Sequence, residues 1–220
     1  MDTGFSNIID RISGILDFFD FSFIVSGLLT YGIILYTADS MISVNFQNYN
    51  LGMIVVVSIV LAYICGLVSF SIGKSLKNVI NKKYFNNVFK ETLDFINSEP
   101  YQNSDNITEY SKMNERYYKT IYSKMWMELR YCEDAKETIR YINRFWMMEA
   151  VYEGLFVSFI LGAISSIYFL VFVDDSCHSF CLIALALSLI AMVFSFIEAR
   201  KCAKAQIVEI VLTYKKFIAV

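Results

Sequence analysis

Residues 154–173, GLFVSFILGAISSIYFLVFV, and residues 182–197, LIALALSLIAMVFSFI, flank the eight-residue turn DDSCHSFC at 174–181. Neither flank contains Asp, Glu, Lys, Arg or His. A helix needs about 20 apolar residues to cross a hydrocarbon core about 30 Å thick. The pair therefore reads as two membrane spans joined by a tight polar turn. Cys177, His178, Cys181 and an aspartate are ligand types for zinc or copper. Four of them in so short a turn do not easily wrap one tetrahedral ion, so no metal is expected there. A disulfide between Cys177 and Cys181 stays open if the compartment is oxidising.

Working outward, two further stretches match this pattern, from about Ser22 to Ala38 and from Leu51 to Ile72. Composition agrees: 56% of the 220 residues are hydrophobic and 18% charged, outside the usual range of soluble proteins. The N-terminus is acidic at Asp2, and no small-residue cleavage site closely follows the first apolar run, so the first span is expected to be retained.

Orientation follows from charge. Of 19 Lys and Arg, only Arg11 precedes the first span; 13 fall between Lys74 and Arg144 and five between Arg200 and Lys216. The loop DSMISVNFQNYN after the first span and the turn at 174–181 hold none. The positive-inside rule then puts both termini and the middle segment in the cytoplasm. The expected fold is an all-α membrane protein with four transmembrane helices. An N-terminal amphipathic helix (1–20) leads into transmembrane hairpin 1 (21–73). A helical cytoplasmic domain (74–153) forms the insert between spans two and three, before transmembrane hairpin 2 (154–198) and a cytoplasmic helical tail (199–220). In the first segment Ile8, Ile9, Ile12, Ile15, Leu16 and Phe19 line one face. That face suits either the inner leaflet or the basic cytoplasmic segment.

Within the insert, the helix of span two is expected to run on to about residue 98, with Leu76, Val79, Ile80, Val88, Leu93 and Ile96 on or near one face. Pro100 breaks it. Thr108 or Asp105 caps the next helix and Asp134 the one after, which continues into span three.

Chemistry-bearing motifs are sparse. There is no glycine-rich phosphate loop, HExxH or CxxC, and no histidine on the cytoplasmic side, so an enzyme is not expected and no cofactor is implied. No ionisable residue lies in the four apolar stretches, which disfavours ion-coupled transport.

The spans carry stripes of small residues instead: Ser22, Ser26 and Thr30 in span one, and Ser58, Ala62 and Gly66 in span two. Span three has Gly154, Ser158, Gly162 and Ser166, and span four Cys181, Ala184, Ser188, Ala191 and Ser195. Such residues let helix backbones approach closely in lipid. The stripes serve packing within one bundle, or else contacts between protomers or a hydroxyl-lined pore. A homo-oligomer is mildly favoured.

The cytoplasmic helices interleave Arg116, Lys119, Lys124, Arg130, Arg140 and Arg144 with aromatics. These are candidate contacts for a soluble protein partner. The alternative is a solvated outer surface around an aromatic core. The insert carries 13 basic and 12 acidic residues, so direct nucleic-acid binding is disfavoured.

In span order and in the helical insert, the chain resembles small four-span proteins of bacterial antiviral systems. Among these are the membrane subunit of the Kiwa system and membrane accessory proteins of RNA-targeting CRISPR loci. The stretch LAYICGLVSFSIGKSL (61–76) is also similar to uncharacterised bacterial membrane families. The resemblance implies a homo-oligomeric inner-membrane defence component, acting as sensor or gated pore with a soluble partner. It transfers no site residues. The alternative function is a small housekeeping channel or permeability protein.

Overall fold

In the computed structural model, residues 18–42, 51–80, 83–98, 115–172 and 178–218 are described. Among these described residues six α-helices follow in order: α1 Phe18–Ile42, α2 Leu51–Ile80, α3 Tyr84–Ser98, α4 Tyr118–Tyr131, α5 Lys136–Phe172 and α6 His178–Phe217. Short 3-10 turns at Glu115–Tyr117 and Glu133–Ala135 lead into α4 and α5. No strand occurs among the described residues. Four helices, α1, α2, α5 and α6, are long and apolar enough to cross a membrane. At 1.5 Å per residue, even the 25-residue α1 exceeds the hydrocarbon thickness. This is a multi-pass membrane protein by helix length and composition.

The chain divides into two compact units. The first comprises residues 1–77 and 150–199, the second 78–149 and 200–220. The boundary falls inside α2, α5 and α6, none of which is interrupted there.

The first unit is built on close backbone approach. A Cβ added at Gly27 would overlap the Ala62 carbonyl, one at Gly66 the Phe23 carbonyl, and one at Gly73 the Glu153 carbonyl. At Gly154 it would come within 2.5 Å of the Ser26 hydroxyl. Glycine is what lets α1, α2 and α5 touch. Large aliphatic side chains of α2 and α6, such as Val56, Val60, Ile183 and Ile190, point outward instead.

The second unit is packed in the opposite way. Its core joins Phe89, Leu93 and Ile96 of α3, Tyr118, Ile121, Met125 and Leu129 of α4, Ile142 of α5, and Ile207, Ile210, Val211 and Tyr214 of α6. Phe89 stacks on Phe85 with centroids 5.7 Å apart and meets Tyr118 at 5.4 Å. Burying such side chains contributes about 1.5–3 kcal/mol each in water, and it explains why Val88, Leu93 and Ile96 of α3 were readable as one face.

Several sequence expectations need correction. The helix of span two does not run on as one element to residue 98: α2 ends at Ile80 and a separate α3 begins at Tyr84. Val79 and Ile80, expected on the apolar face with Val88, Leu93 and Ile96, are instead 67% and 58% exposed. Asp134 does not stand directly before α5 as a capping residue would, because it lies inside the 3-10 turn Glu133–Ala135. The amphipathic pattern at 1–17, the Pro100 break, the Thr108 or Asp105 cap and Cys177 all fall outside the described residues. The continuation of α5 into span three and of α6 past span four appears as expected.

Candidate functional site

In the first unit, three hydroxyls meet among α1, α2 and α5. Thr30 Oγ1 lies 2.7 Å from Ser158 Oγ and 3.0 Å from Ser69 Oγ. Ser158 Oγ reaches the Gly154 carbonyl at 3.0 Å and the Ser26 carbonyl at 3.1 Å. One assignment uses every proton: Ser69 donates to Thr30, Thr30 to Ser158, and Ser158 to a backbone carbonyl. All three are buried. In hydrocarbon an unpaired hydroxyl is costly, so this cluster ties three helices in register.

At one end of the same unit, Lys77 of α2 forms an ion pair with Glu153 of α5. Glu153 is 3% exposed and Lys77 14% by side chain. These are the first charged residues beyond the uncharged parts of their spans, apart from the exposed Lys74. A pair this buried is weak evidence for net stability, but removing one partner leaves a charge in a dry site. Gly73, one turn before Lys77, lets the two backbones close at the Glu153 carbonyl.

The small-residue stripes can now be placed. Ala62, Gly66, Gly154, Ser158, Ser166 and Ser195 are buried within the chain. Ser58 is half-buried, with the Tyr31 hydroxyl 3.4 Å away. Gly162, Ala184, Ser188 and Ala191 are also half-buried. Gly162, Ser166, Ala184 and Ser188 line, with Gly32 and Ile33, a groove of about 480 Å³ between α1, α5 and α6. The groove is uncharged, with hydroxyls as its polar groups, and offers no acid–base or nucleophilic chemistry. Sequence reasoning missed Gly27, Gly73, Ser69 and the Lys77–Glu153 pair. Spacing within one helix says nothing of which glycine on a second helix meets it.

In the second unit, Tyr122 is mostly buried beside Glu149 and Gln206. Burial, and then the Glu149 carboxylate, hold its phenol well above the usual tyrosine range, opposed by the Gln206 amide. The Tyr214 hydroxyl donates to Glu128 at 2.7 Å. Trp126 and Trp146 pack at 5.6 Å, with the Arg130 guanidinium over Trp126 at 5.9 Å. The candidate partner residues Arg116, Lys119, Lys124, Arg130, Arg140 and Arg144 are all exposed. They are spread over two helices: the first four ride on α4 and the turn before it, while Arg140 and Arg144 lie one turn apart on α5. Around that α5 pair, Glu137, Tyr141 and Met148 are also exposed.

Among the described residues, no three His, Cys, Asp or Glu side chains cluster as a metal site. His178 Nε2 lies 3.2 Å from the Leu170 carbonyl, between the ends of α5 and α6, and of the other ligand types of that turn, Asp174, Asp175 and Cys177 fall outside the described residues. No protein family matches the chain, and no curated protein or solved structure does either.

Proposed function

We propose that the chain is a homo-oligomeric inner-membrane component of a prokaryotic antiviral defence system. It acts as sensor or gated pore through its cytoplasmic helices and a soluble partner. The observation that carries the signalling part is the continuity of α5 and α6. Each belongs at one end to a unit packed for lipid and at the other to a unit packed for water. A change imposed on the water-packed unit has two unbroken helices through which to bias the spans. The defence role rests on the resemblance in span order and helical insert alone.

The exposed α5 face around Arg140 and Arg144 supports a protein partner, because it mixes both charge signs with Tyr141 and Met148. Arg and Tyr are enriched among residues that dominate protein interfaces. Homo-oligomerisation draws support from Gly32. It is exposed on α1, and among the described residues nothing lies within 4 Å of where its Cβ would be. A helix from a second copy would use a glycine there.

The alternative of a small housekeeping channel has less support within one protomer. Thr30, Ser69 and Ser158 are engaged with one another and with backbone, so this cluster lines no path. The test is a potential-sensitive dye in cells carrying the complete operon, before and after phage challenge. Depolarisation only on challenge supports gating. Protection without depolarisation leaves a membrane-anchored sensor, and neither protection nor depolarisation overturns the defence assignment.

A further inference from the structure

We propose that the groove between α1, α5 and α6 holds one acyl chain of a phospholipid. α5 forms its floor. It touches α1 where Thr37 meets Ser165 at 3.0 Å, and α6 where a Cβ on Gly162 would come within 3.0 Å of Ser188 Oγ. α1 and α6 are the walls, kept low by Gly32 and Ala184. The groove lies in the half of the first unit nearest the α5–α6 turn. On α5 it runs from Phe159 to Phe169, close to the helix end at Phe172, and on α6 from Phe180 to Ser188. Ten residues of α5 at 1.5 Å each make it about 15 Å long. That is half of a hydrocarbon core about 30 Å thick, the depth filled by the chains of one leaflet. Its volume of about 480 Å³ suits a single small ligand.

The lining identifies the chemistry of the occupant. None of the lining residues is charged. Ser165 accepts the Thr37 hydroxyl, and Ser166 donates to the Gly162 carbonyl at 2.8 Å. Ser188 has the Ala184 carbonyl one turn back on its own helix, the usual acceptor for a serine in a membrane span. The groove therefore asks for neither charge nor hydrogen bonds, and a hydrocarbon chain brings neither. At the end nearest the turn the lining becomes aromatic. Tyr36 rests on Phe169 with ring centroids 5.3 Å apart, and the Tyr36 side chain is 64% exposed. Tyrosines of this kind gather at headgroup level. The glycerol end of the lipid belongs beside Tyr36, and the chain runs from there toward Leu28 and Phe159.

A second copy of the chain fits the same space less well. A symmetric pair presents one patch to itself, and two facing grooves enlarge the space between them rather than fill it. Lipid chains, by contrast, are the solvent around these helices. On the outward rows of α2 and α6 a chain meets protein on one side only. In the groove it meets protein on three sides, and the added dispersion contacts hold it longer than its neighbours.

The experiment places the full chain in phosphatidylcholine nanodiscs doped with a phosphatidylcholine that carries a diazirine halfway along one acyl chain. Irradiation followed by peptide mass spectrometry reads the adducts. Leu29 and Ile33, half-buried at the groove, are compared with Leu187 and Ile183, which are exposed on α6. The reference pair lies as far from Phe180 as the groove pair lies from Tyr36. The expected result is a several-fold excess of adducts on the groove pair, whereas exposure alone gives the opposite order. Replacing the bulk lipid by one with methyl-branched chains should raise that excess, because branched chains compete poorly for a confined groove. Gly32→Leu with Ala184→Leu should fill the groove and lower the excess several-fold, while Ala184→Ser should retain it. A Cβ at Gly32 meets nothing within 4 Å, and unchanged helicity is the folding control. The branched-lipid comparison needs no variant. Adducts on the groove pair no higher than on the reference pair overturn the proposal. So does an excess that neither branched lipid nor the filled groove changes. Absent groove adducts, together with a smaller particle for Gly32→Leu, would reassign the groove to a second copy.

Discussion

The two units of this protein are built by opposite rules. In the first, most buried positions are small or hydroxylated, among them Gly27, Ser26, Thr30, Ala62, Gly66, Ser69, Gly154 and Ser158, and many outward ones are Val, Ile and Leu. In the second, Phe89, Leu93, Met125, Leu129 and Ile210 are inside, and most Lys, Arg and Glu are outside, Lys215 being an exception. The difference is one of solvent. In water, burying apolar area is favourable and large side chains win the interior. In hydrocarbon that driving force between helices is absent, and contact is gained from backbone proximity and interhelical hydrogen bonds. A chain that inverts its interior partway along α5 and α6 carries the mark of two solvents.

This comparison fails if the same kind of substitution hurts both units alike. The largest effect is expected for Gly66→Leu. The added side chain has only the Phe23 backbone to displace, so α1 and α2 must separate. We expect loss of the folded bundle in detergent by size-exclusion chromatography and protease resistance. Leu61→Ala, on an exposed turn of the same helix, should behave like the parent. In the second unit the rule reverses: Phe89→Ala should cost about 3–5 kcal/mol by cavity formation. Hydrogen exchange should show it as lost protection in α3 and α4.

The Lys77–Glu153 pair sharpens the boundary between the two regimes. Lys77→Met alone strands a nearly dry carboxylate and should cost about 3–5 kcal/mol, whereas adding Glu153→Leu should recover most of it. Denaturation of the single and double variants in matched micelles gives the comparison. If the double variant is as damaged as the single, the pair carries more than local charge balance.

Smaller effects probe single groups. Thr30→Val keeps shape but removes one hydroxyl from the α1–α2–α5 cluster. It should cost about 0.6–1.7 kcal/mol, the measured range for interhelical hydrogen bonds in membranes. The smallest effect is at Tyr122. Its phenol holds its proton more tightly in the folded state than in the unfolded chain. Stability from this group is therefore complete at neutral pH and declines as pH rises past the ordinary tyrosine value of about 10. Tyr122→Phe should flatten that part of the alkaline unfolding profile and leave stability at neutral pH nearly unchanged. A steeper decline in the variant would mean that the phenol does not stay neutral.

Sequence by itself determined the four crossing helices, because long runs of uncharged, mostly apolar residues have no other inexpensive place to be. It also determined the inward positions Val88, Leu93 and Ile96 of α3, because water enforces the helical period there; the matching inward row of α4, Tyr118, Ile121, Met125 and Leu129, was hidden by the bases and aromatics interleaved with it. The membrane stripes were legible as lists of small residues, and Ala62, Gly66, Gly154 and Ser158 are indeed in the interior. Their partners were not legible. Gly27 looks no different from the exposed Gly32 along the same helix, yet only Gly27 meets a facing carbonyl. Periodicity describes one helix against its solvent, and lipid is nearly as apolar as the neighbouring helix. Which glycine meets which backbone, which hydroxyl finds Thr30, and that Lys77 finds Glu153 depend on crossing points set by several helices at once, and only the tertiary structure decides those.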